Sequence, residues 1–453
     1  MNAAGAPDVS DYLQGQIDDI LSACTRCGKC VEVCPVVPHG AAALAKPEAV
    51  AFNLLQFMSG ETRLDAAASD WLRSCNGCGD CIPACPENIN PRKMLLLGSI
   101  RESADGGSRT PQLFRRMARA IKMMIAMQLV PAEYGRLFVP SKPRPADLVF
   151  YLGCNALRTP NLLFNTMYVL DALEADYEVV GGPSSCCGVI ATKWEGDVKV
   201  GGRVTVNTIT RFEGFQPSRV LNWCPTCQIH LGETMGGFQP RSFDFDHVTG
   251  YLVERGEALR KLLIHPIPKR VVLHAHRGMP EIGQNVEALL KSIPGLEVIE
   301  TVYESSYTCG GSGCNKSPAL QAQEHGHLID RVKATRADAL VTLYHGCHMA
   351  FMSHEKNGEF EVLNFTELLA QAAGQKPHVD RLKQMRMLDD WRSVVEESQP
   401  YLRQNGLDID SAWLEKHGAE IFSVAEFRGG LDCLASNAPP SRTGSPAASH
   451  SHS

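Results

Sequence analysis

The 453-residue chain is first informative for what it lacks. No apolar run approaches the roughly 18 residues of a spanning helix; Met123 to Val130 comes nearest and is too short. Charge is modest: 44 Lys and Arg stand against 50 Asp and Glu, a net charge of −6, which argues against a general nucleic-acid or membrane-surface binder. Met1 to Ser10 is small and polar, no apolar signal core follows it, and no twin-arginine pair lies near it. The expected location is the cytoplasm, with any membrane reached through a partner. The GxGxxG pattern of a dinucleotide fold is missing, so a required flavin is expected on another chain. Gly310-Gly311-Ser312-Gly313 lacks the following Gly-Lys-Ser/Thr of a phosphate loop and reads as a tight turn.

What the chain has is cysteine: 17 in all. They gather in four zones, 24–34, 75–85, 154–227 and 309–347, with Cys433 alone near the tail as a spare thiol. Clustered cysteines in a reducing compartment point to metal ligation or redox chemistry more than to disulfides. Cys24, Cys27, Cys30 and Cys34 are spaced by two, two and three residues and followed by Pro35; Cys75, Cys78, Cys81 and Cys85 repeat this spacing before Pro86. This is the run that binds paired [4Fe–4S] cubanes, the fourth thiolate of each run reaching the other cluster. Cys24, Cys27, Cys30 and Cys85 are thus expected to hold cluster 1, and Cys75, Cys78, Cys81 and Cys34 cluster 2. Gly28, Gly77 and Gly79 suit backbone that must approach sulfide closely. Structural zinc is the plainer alternative, but two consecutive triples with a trailing Cys-Pro are far more specific than one pair.

Helices are predicted over Glu48 to Gly60, over Pro91 to about Ala104, and over Gln112 to Val130. The last carries Arg115, Arg116, Arg119 and Lys122 opposite Leu113, Phe114, Met117, Ile121, Met124 and Ile125; it reads as a helix packed between domains or as a docking helix for a membrane partner. Asp105 to Ser108 is a break, and Pro140 to Pro145 is a stiff linker. An α/β rhythm follows, with strands at Leu148 to Leu152, Tyr177 to Val180 and Val220 to Trp223 and a helix at Leu162 to Glu174; strands at Val271 to His274, Leu296 to Glu300 and Ala339 to Leu343 then repeat it. The expected fold is a mostly helical ferredoxin-type domain (1–108), a helical connector and linker (109–145), two tandem α/β modules (146–266 and 267–375), a helical extension (376–436) and a disordered tail (437–453).

In the first module Cys154, Cys186-Cys187-Gly188 and Cys224-Pro225-Thr226-Cys227 each follow a predicted strand, so all three loops could open on one edge of a parallel sheet, where such sheets place ligands. Five thiols exceed the needs of one zinc or one cubane. A vicinal disulfide at Cys186-Cys187 or a zinc site would be the plain alternatives. The pattern resembles the cysteine-rich CCG domain of heterodisulfide reductase, and the preceding domain resembles the two-cluster, ferredoxin-like subunit of the same enzyme family; the order is similar to a natural fusion of the two. The resemblance covers about Ile17 to Phe351 and implies a noncubane [4Fe–4S] cluster on Cys154, Cys186, Cys187, Cys224 and Cys227, cleaving or forming a disulfide. It also implies partner subunits, either flavin-containing or quinone-linked in the membrane, and a thiol, disulfide or sulfur-carrier substrate.

The second module departs from that pattern. Arg277 falls near the first cysteine position, Thr308-Cys309-Gly310 stands for Cys-Cys-Gly, and Tyr344-His345-Gly346-Cys347 for the final pair. His274, His276, Cys309, Cys314, His345, Cys347 and His348 could form a mixed metal site, since imidazole and thiolate both suit zinc and both occur on iron, with Cys309 and Cys347 as candidate thiolates. Alternatively, His276 and His345 serve as proton donors in a substrate pocket with Arg277 holding an acidic group, or the region is a decayed site. The rival reading of the whole chain is an electron-relay subunit of a glycolate or glycerol-3-phosphate dehydrogenase type. Subunits of that type carry a Ser-Pro-Arg-Gly-like stretch after the first cysteine run, where this chain has Pro38-His39-Gly40 and Lys46-Pro47-Glu48.

Overall fold

A computed structural model describes residues 8–106, 112–138, 143–305, 317–388 and 391–407. The N-terminal region is helical. Val9–Ala23 begins at Asp8, whose carboxylate accepts from the Ser10 N–H, and buries Val9, Leu13, Ile17 and Ile20 along one stripe. Pro47–Ser59 starts on a proline, which suits a first helical turn, and ends at Gly60 with φ +88°. Pro91–Ala104, capped by Asn90, is buried on nearly every face, including Arg92 and Glu102, because it runs between the cysteine-run region and the first α/β module.

Two four-stranded sheets follow. The first contains β1 (Leu148–Gly153), β2 (Tyr177–Gly181), β3 (Arg219–Asn222) and β4 (Asp244–His247), all parallel in the order β2-β1-β3-β4. The second contains β5 (Lys269–His276), β6 (Leu296–Glu304), β7 (Ala339–Thr342) and β8 (Glu361–Asn364), parallel in the order β6-β5-β7-β8. All six residues of β1 are buried, as expected of a central parallel strand covered on both faces. The helical N-terminal region and the two α/β modules are the expected fold class. The identical strand order makes the two sheets copies of one plan. In each, the chain reverses its winding direction beside the first strand, so three strand ends open together at that edge.

Differences from the sequence reading are local. The basic helix occupies Leu113–Ala126 and stops short of Val130, because Pro131 disfavours helical backbone before it and opens a new helix, Pro131–Phe138. Met117, Ile121, Met124 and Ile125 are buried, and Met124 packs with Met349, Met352, Leu382 and Met385 of the C-terminal part. Its apolar stripe is thus used inside the chain, with Arg115, Arg119 and Lys122 outward. The extension after residue 376 is helical over Arg381–Arg386 and Trp391–Gln404; the expected tail lies outside the described residues. Among the described residues no helix is long and apolar enough to cross a membrane.

Candidate functional site

The two cysteine runs face each other across the N-terminal region. Cys24, Cys27, Cys30 and Cys85 line one cavity, whose apolar wall includes Ala51, Leu55, Ile89 and Met94. Burial, and then the thiolates of Cys24 and Cys27, push the Cys30 thiol up to about 12. Cys34 joins the other group: burial and then the neighbouring Cys75 push its thiol up to about 11, against the Trp71 indole N–H, which favours the thiolate. Cys78 and Cys81 are raised further, first by burial; Cys75 and Cys34 are like-charge neighbours of both. The fourth cysteine of each run therefore sits with the other run. Cys30 is also a neighbour of Cys81, so the two groups adjoin. Buried thiols that repel one another as thiolates suit a site whose iron supplies positive charge.

The second run and the helix that follows it contact both α/β modules. Arg92, 7% exposed, pairs with Glu233 of the first module and donates to the Gly77 carbonyl at 3.3 Å and to the Gly278 carbonyl of the second module at 2.8 Å. Arg277 reaches Asp80 of the same loop at 3.3 Å. The guanidinium expected to hold an acidic substrate group thus meets a carboxylate of the cysteine loop.

The five thiols of the first module form one buried chain of sulfur contacts. Cys154 and Cys186 lie 4.0 Å apart; Cys186 meets Cys187, Cys187 meets Cys227, and Cys227 meets Cys224. Each is at most 7% exposed. The thiols of Cys154, Cys187 and Cys227 are raised first by hydrogen bonds to a neighbouring sulfur and then by burial. The loops are held from behind: Thr208 donates to the Cys186 carbonyl and Thr205 to the Cys187 carbonyl, both at 2.7 Å, and Asn222 donates to the Cys224 carbonyl at 2.9 Å. Gly188 has φ +98°, and a Cβ there would stand 2.5 Å from the Gly201 carbonyl oxygen. That position needs glycine both for its backbone angle and for close packing on the helix Val198–Glu213.

One residue of this site escaped the sequence reading. His230 follows Cys227 by three residues, is fully buried, and neither ring nitrogen has a hydrogen-bond partner among the described residues. Burial pushes it down to about 4, although the nearby Cys186 works the other way. An orphaned imidazole beside five thiols fits a group carrying its own acceptors, such as the inorganic sulfides of an iron–sulfur cluster. The Cys227-x2-His230 spacing was the signal available in the sequence.

At the matching edge of the second sheet the predicted residues separate. His276 Nε2 lies 3.0 Å from Cys347 Sγ, and His274 joins them. His345 instead faces the first module, its Nε2 3.3 Å from Asn155 Nδ2 beside Cys154, and burial pushes it down to about 4. His348 turns to Asp380 at 2.6 Å and Glu367 at 3.8 Å; burial disfavours its charge, but these carboxylates outweigh it and raise its pKa. Tyr344, in place of a cysteine, stacks on His276 with ring centroids 5.5 Å apart. Glu304, missed in the sequence, bonds His274 at 2.8 Å. Cys309 and Cys314 lie outside the described residues.

Comparison with known proteins agrees with this layout. Residues 20–89 match the 4Fe-4S dicluster domain, and residues 148–232 and 274–352 match the cysteine-rich domain. A subunit of the dihydromethanophenazine:CoB–CoM heterodisulfide reductase of Methanosarcina acetivorans is 24% identical over 393 residues, covering 78% of this chain and 94% of the relative. A subunit of the CoM/CoB fumarate reductase of Methanothermobacter marburgensis is 23% identical over 379 residues, covering 78% and 72%. The glycolate oxidase iron-sulfur subunit of Escherichia coli is 21% identical over 395 residues, covering 79% and 95%. The chain is an iron–sulfur protein that joins a dicluster domain, which implies two [4Fe–4S] clusters, to two cysteine-rich domains, and it is a distant homologue of the heterodisulfide reductase chain of Methanosarcina acetivorans.

Proposed function

We propose that this chain is the iron–sulfur subunit of a heterodisulfide-reductase-like complex, reducing a disulfide or oxidising a pair of thiols at the five-cysteine site. The observation that carries this reading is the continuous buried chain of sulfur contacts from Cys154 through Cys186, Cys187 and Cys227 to Cys224. Cys24, Cys27, Cys30 and Cys85 hold one cubane, and Cys75, Cys78, Cys81 and Cys34 the other. The five thiolates hold a noncubane cluster, which when bound supplies iron sites for a substrate sulfur and passes electrons singly.

In the reducing direction one S–S bond would break, two electrons from the partner subunit, which loaded cubanes would pass on singly, would reduce it, and two protons would complete two thiols. The chain's own residues fix the site: Thr205, Thr208 and Asn222 hold the cysteine loops, buried His230 lies near Cys186 with neither ring nitrogen hydrogen-bonded among the described residues, and the buried setting excludes water. The substrate class is a small thiol coenzyme, a lipoyl-type carrier or a sulfur-carrier protein. The electron partner is a flavin-containing or membrane quinone-linked subunit, with this chain on the cytoplasmic side.

A second reading has its own support. The second module lacks a second five-thiol set among the described residues, and the glycolate oxidase iron-sulfur subunit is similar over nearly its whole length. On that reading the chain relays electrons from a flavin subunit to quinone and has no sulfur substrate. Electron paramagnetic resonance with iron and sulfide quantification, during titration with thiol, separates the two. An oxidised signal that appears only with thiol, and disappears with turnover in Cys187→Ala while both cubane signals remain, supports the sulfur reading. Two cubane signals with no thiol response favour the relay.

A further inference from the structure

The edge of the second sheet holds a donor set that the chemistry above does not use. His274 and His276 point from one face of β5, and Cys347 sits in the first turn of the helix His345–Phe351 that follows β7. One ligand atom from each lies within 4.8 Å of the others. Their exposures are 0%, 1% and 0%, so the sulfur has no path to solvent as a nucleophile would need. Two imidazoles converge on one thiol, whereas activating a thiol needs only one.

The surroundings complete the pattern of a metal centre. The far nitrogen of His274, Nε2, is 2.8 Å from Glu304 Oε2, which leaves Nδ1 as the nitrogen turned toward His276 and Cys347. Glu304 is 3% exposed, and His325 Nε2 stands 3.8 Å from the same carboxylate oxygen. A carboxylate behind a histidine fixes the tautomer and ring orientation of a metal ligand and raises its basicity. A buried carboxylate that only neutralised a histidine would not explain why the other face of that ring meets a thiol and a second imidazole.

We infer that His274 Nδ1, His276 Nε2 and Cys347 Sγ form a zinc site, with Glu304 as the carboxylate that orients His274. Two nitrogens and one thiolate suit a borderline-soft d10 ion and disfavour the oxygen-seeking Mg²⁺ and Ca²⁺. Among the described residues this edge offers one thiolate against the first module's five, and a zinc ion here is redox-silent. The site lies two residues before Gly278, whose carbonyl receives Arg92 beside the second cysteine run. Zinc here clamps the end of β5 to the helix after β7 and so stiffens the edge on which the cubane loop docks. This inference stands whether or not the five-thiol site acts on sulfur.

The test is metal analysis of the full-length protein, purified anaerobically with its clusters. About one zinc per chain is expected, lost in His276→Ala and Cys347→Ser while iron content holds. Glu304→Gln keeps all three ligands and should weaken zinc retention about 10- to 100-fold in a chelator competition. Cobalt substitution gives an independent readout: thiolate-to-cobalt charge-transfer absorption in the parent chain, absent in Cys347→Ser. Absence of zinc, or zinc unchanged in both ligand variants, overturns the inference. If iron falls together with zinc in the ligand variants, Glu304→Gln decides, and unchanged retention there overturns it.

Discussion

Arg92 offers a sign-definite test of how the cubane loop sits between the modules. Its guanidinium touches the Gly77 carbonyl and is a positive neighbour of Cys81, while Glu233 pairs with its other side. A positive charge favours the reduced cluster, which carries one more electron. At a separation on the order of 8 Å and an effective dielectric of about 20, one charge is worth about 2 kcal/mol. For a one-electron couple that is about 90 mV, since a tenfold change corresponds to about 59 mV. Glu233, taken as about 3 Å farther off, opposes this by about 1.5 kcal/mol, or about 65 mV. Arg92→Met should therefore lower the midpoint potential of one cubane by up to about 90 mV, and Glu233→Gln should raise it by up to about 65 mV. The double variant should lie only about 25 mV below the parent. Redox titration followed by electron paramagnetic resonance reads all four proteins, and the other cubane, proposed above for Cys24, Cys27, Cys30 and Cys85, serves as the internal control. Shifts of equal size in both cubanes, or no shift beyond about 20 mV in Arg92→Met, would refute the placement of this charge.

Three further substitutions probe packing without touching a cysteine. A Cβ at Gly278 would stand 2.4 Å from the Cys78 carbonyl oxygen and 3.0 Å from Arg92 Nη1. Gly278→Ala should cost about 1–3 kcal/mol and perturb only the second run's cubane signal; an unchanged melt and spectrum would count against the docking. Gly188→Ala meets both an unfavourable φ and the Gly201 carbonyl, so it should deplete iron at the five-cysteine site while both cubane signals survive; full iron content would contradict the role given to that glycine. Asp380→Asn keeps the cap that accepts from the Lys383 N–H but removes the closer of the two carboxylates on buried His348, leaving Glu367 at 3.8 Å, so a loss of about 3–5 kcal/mol is expected in anaerobic denaturation. A loss below about 1 kcal/mol would mean that His348 does not depend on the pair.

The sequence was most legible where ligand spacing is local. The two cysteine runs and the Cys186-Cys187-Gly188 stretch announce themselves because a cluster demands closely spaced thiolates on tight loops. The central strands were legible too, since a parallel strand buried on both faces, such as Leu148–Gly153, must be apolar throughout. The edge strands were not: Asp244–His247 holds Phe245 as its one apolar residue, and its strand character comes from pairing with β3. Glu304 and His274 are 30 residues apart and meet only because β5 and β6 pair in parallel with His276 opposite Glu304. Arg92 read simply as part of a helix start; its function as a bridge depends on the packing of three regions that no local pattern encodes.

The asymmetry between the modules has a physical source in that packing. Both sheets bring three strand ends to one edge, and in the first module thiolates fill it. In the second, the position after β5 is Arg277-Gly278, and it is taken up by Asp80 and by the Cys78 carbonyl of the cubane loop. Tyr344 replaces a further thiolate with a ring lying on His276. A cysteine at position 277 would sacrifice the Asp80 contact, and one at 344 would remove the stacked ring, so docking of the cubane loop and a second five-thiolate set compete for the same edge. The first module escapes this conflict because its contact with Arg92 comes from Glu233, six residues past Cys227 and away from the ligand positions. One fold can thus carry a five-thiol site in one copy and a docking surface in the other, with a few residues at strand ends deciding which.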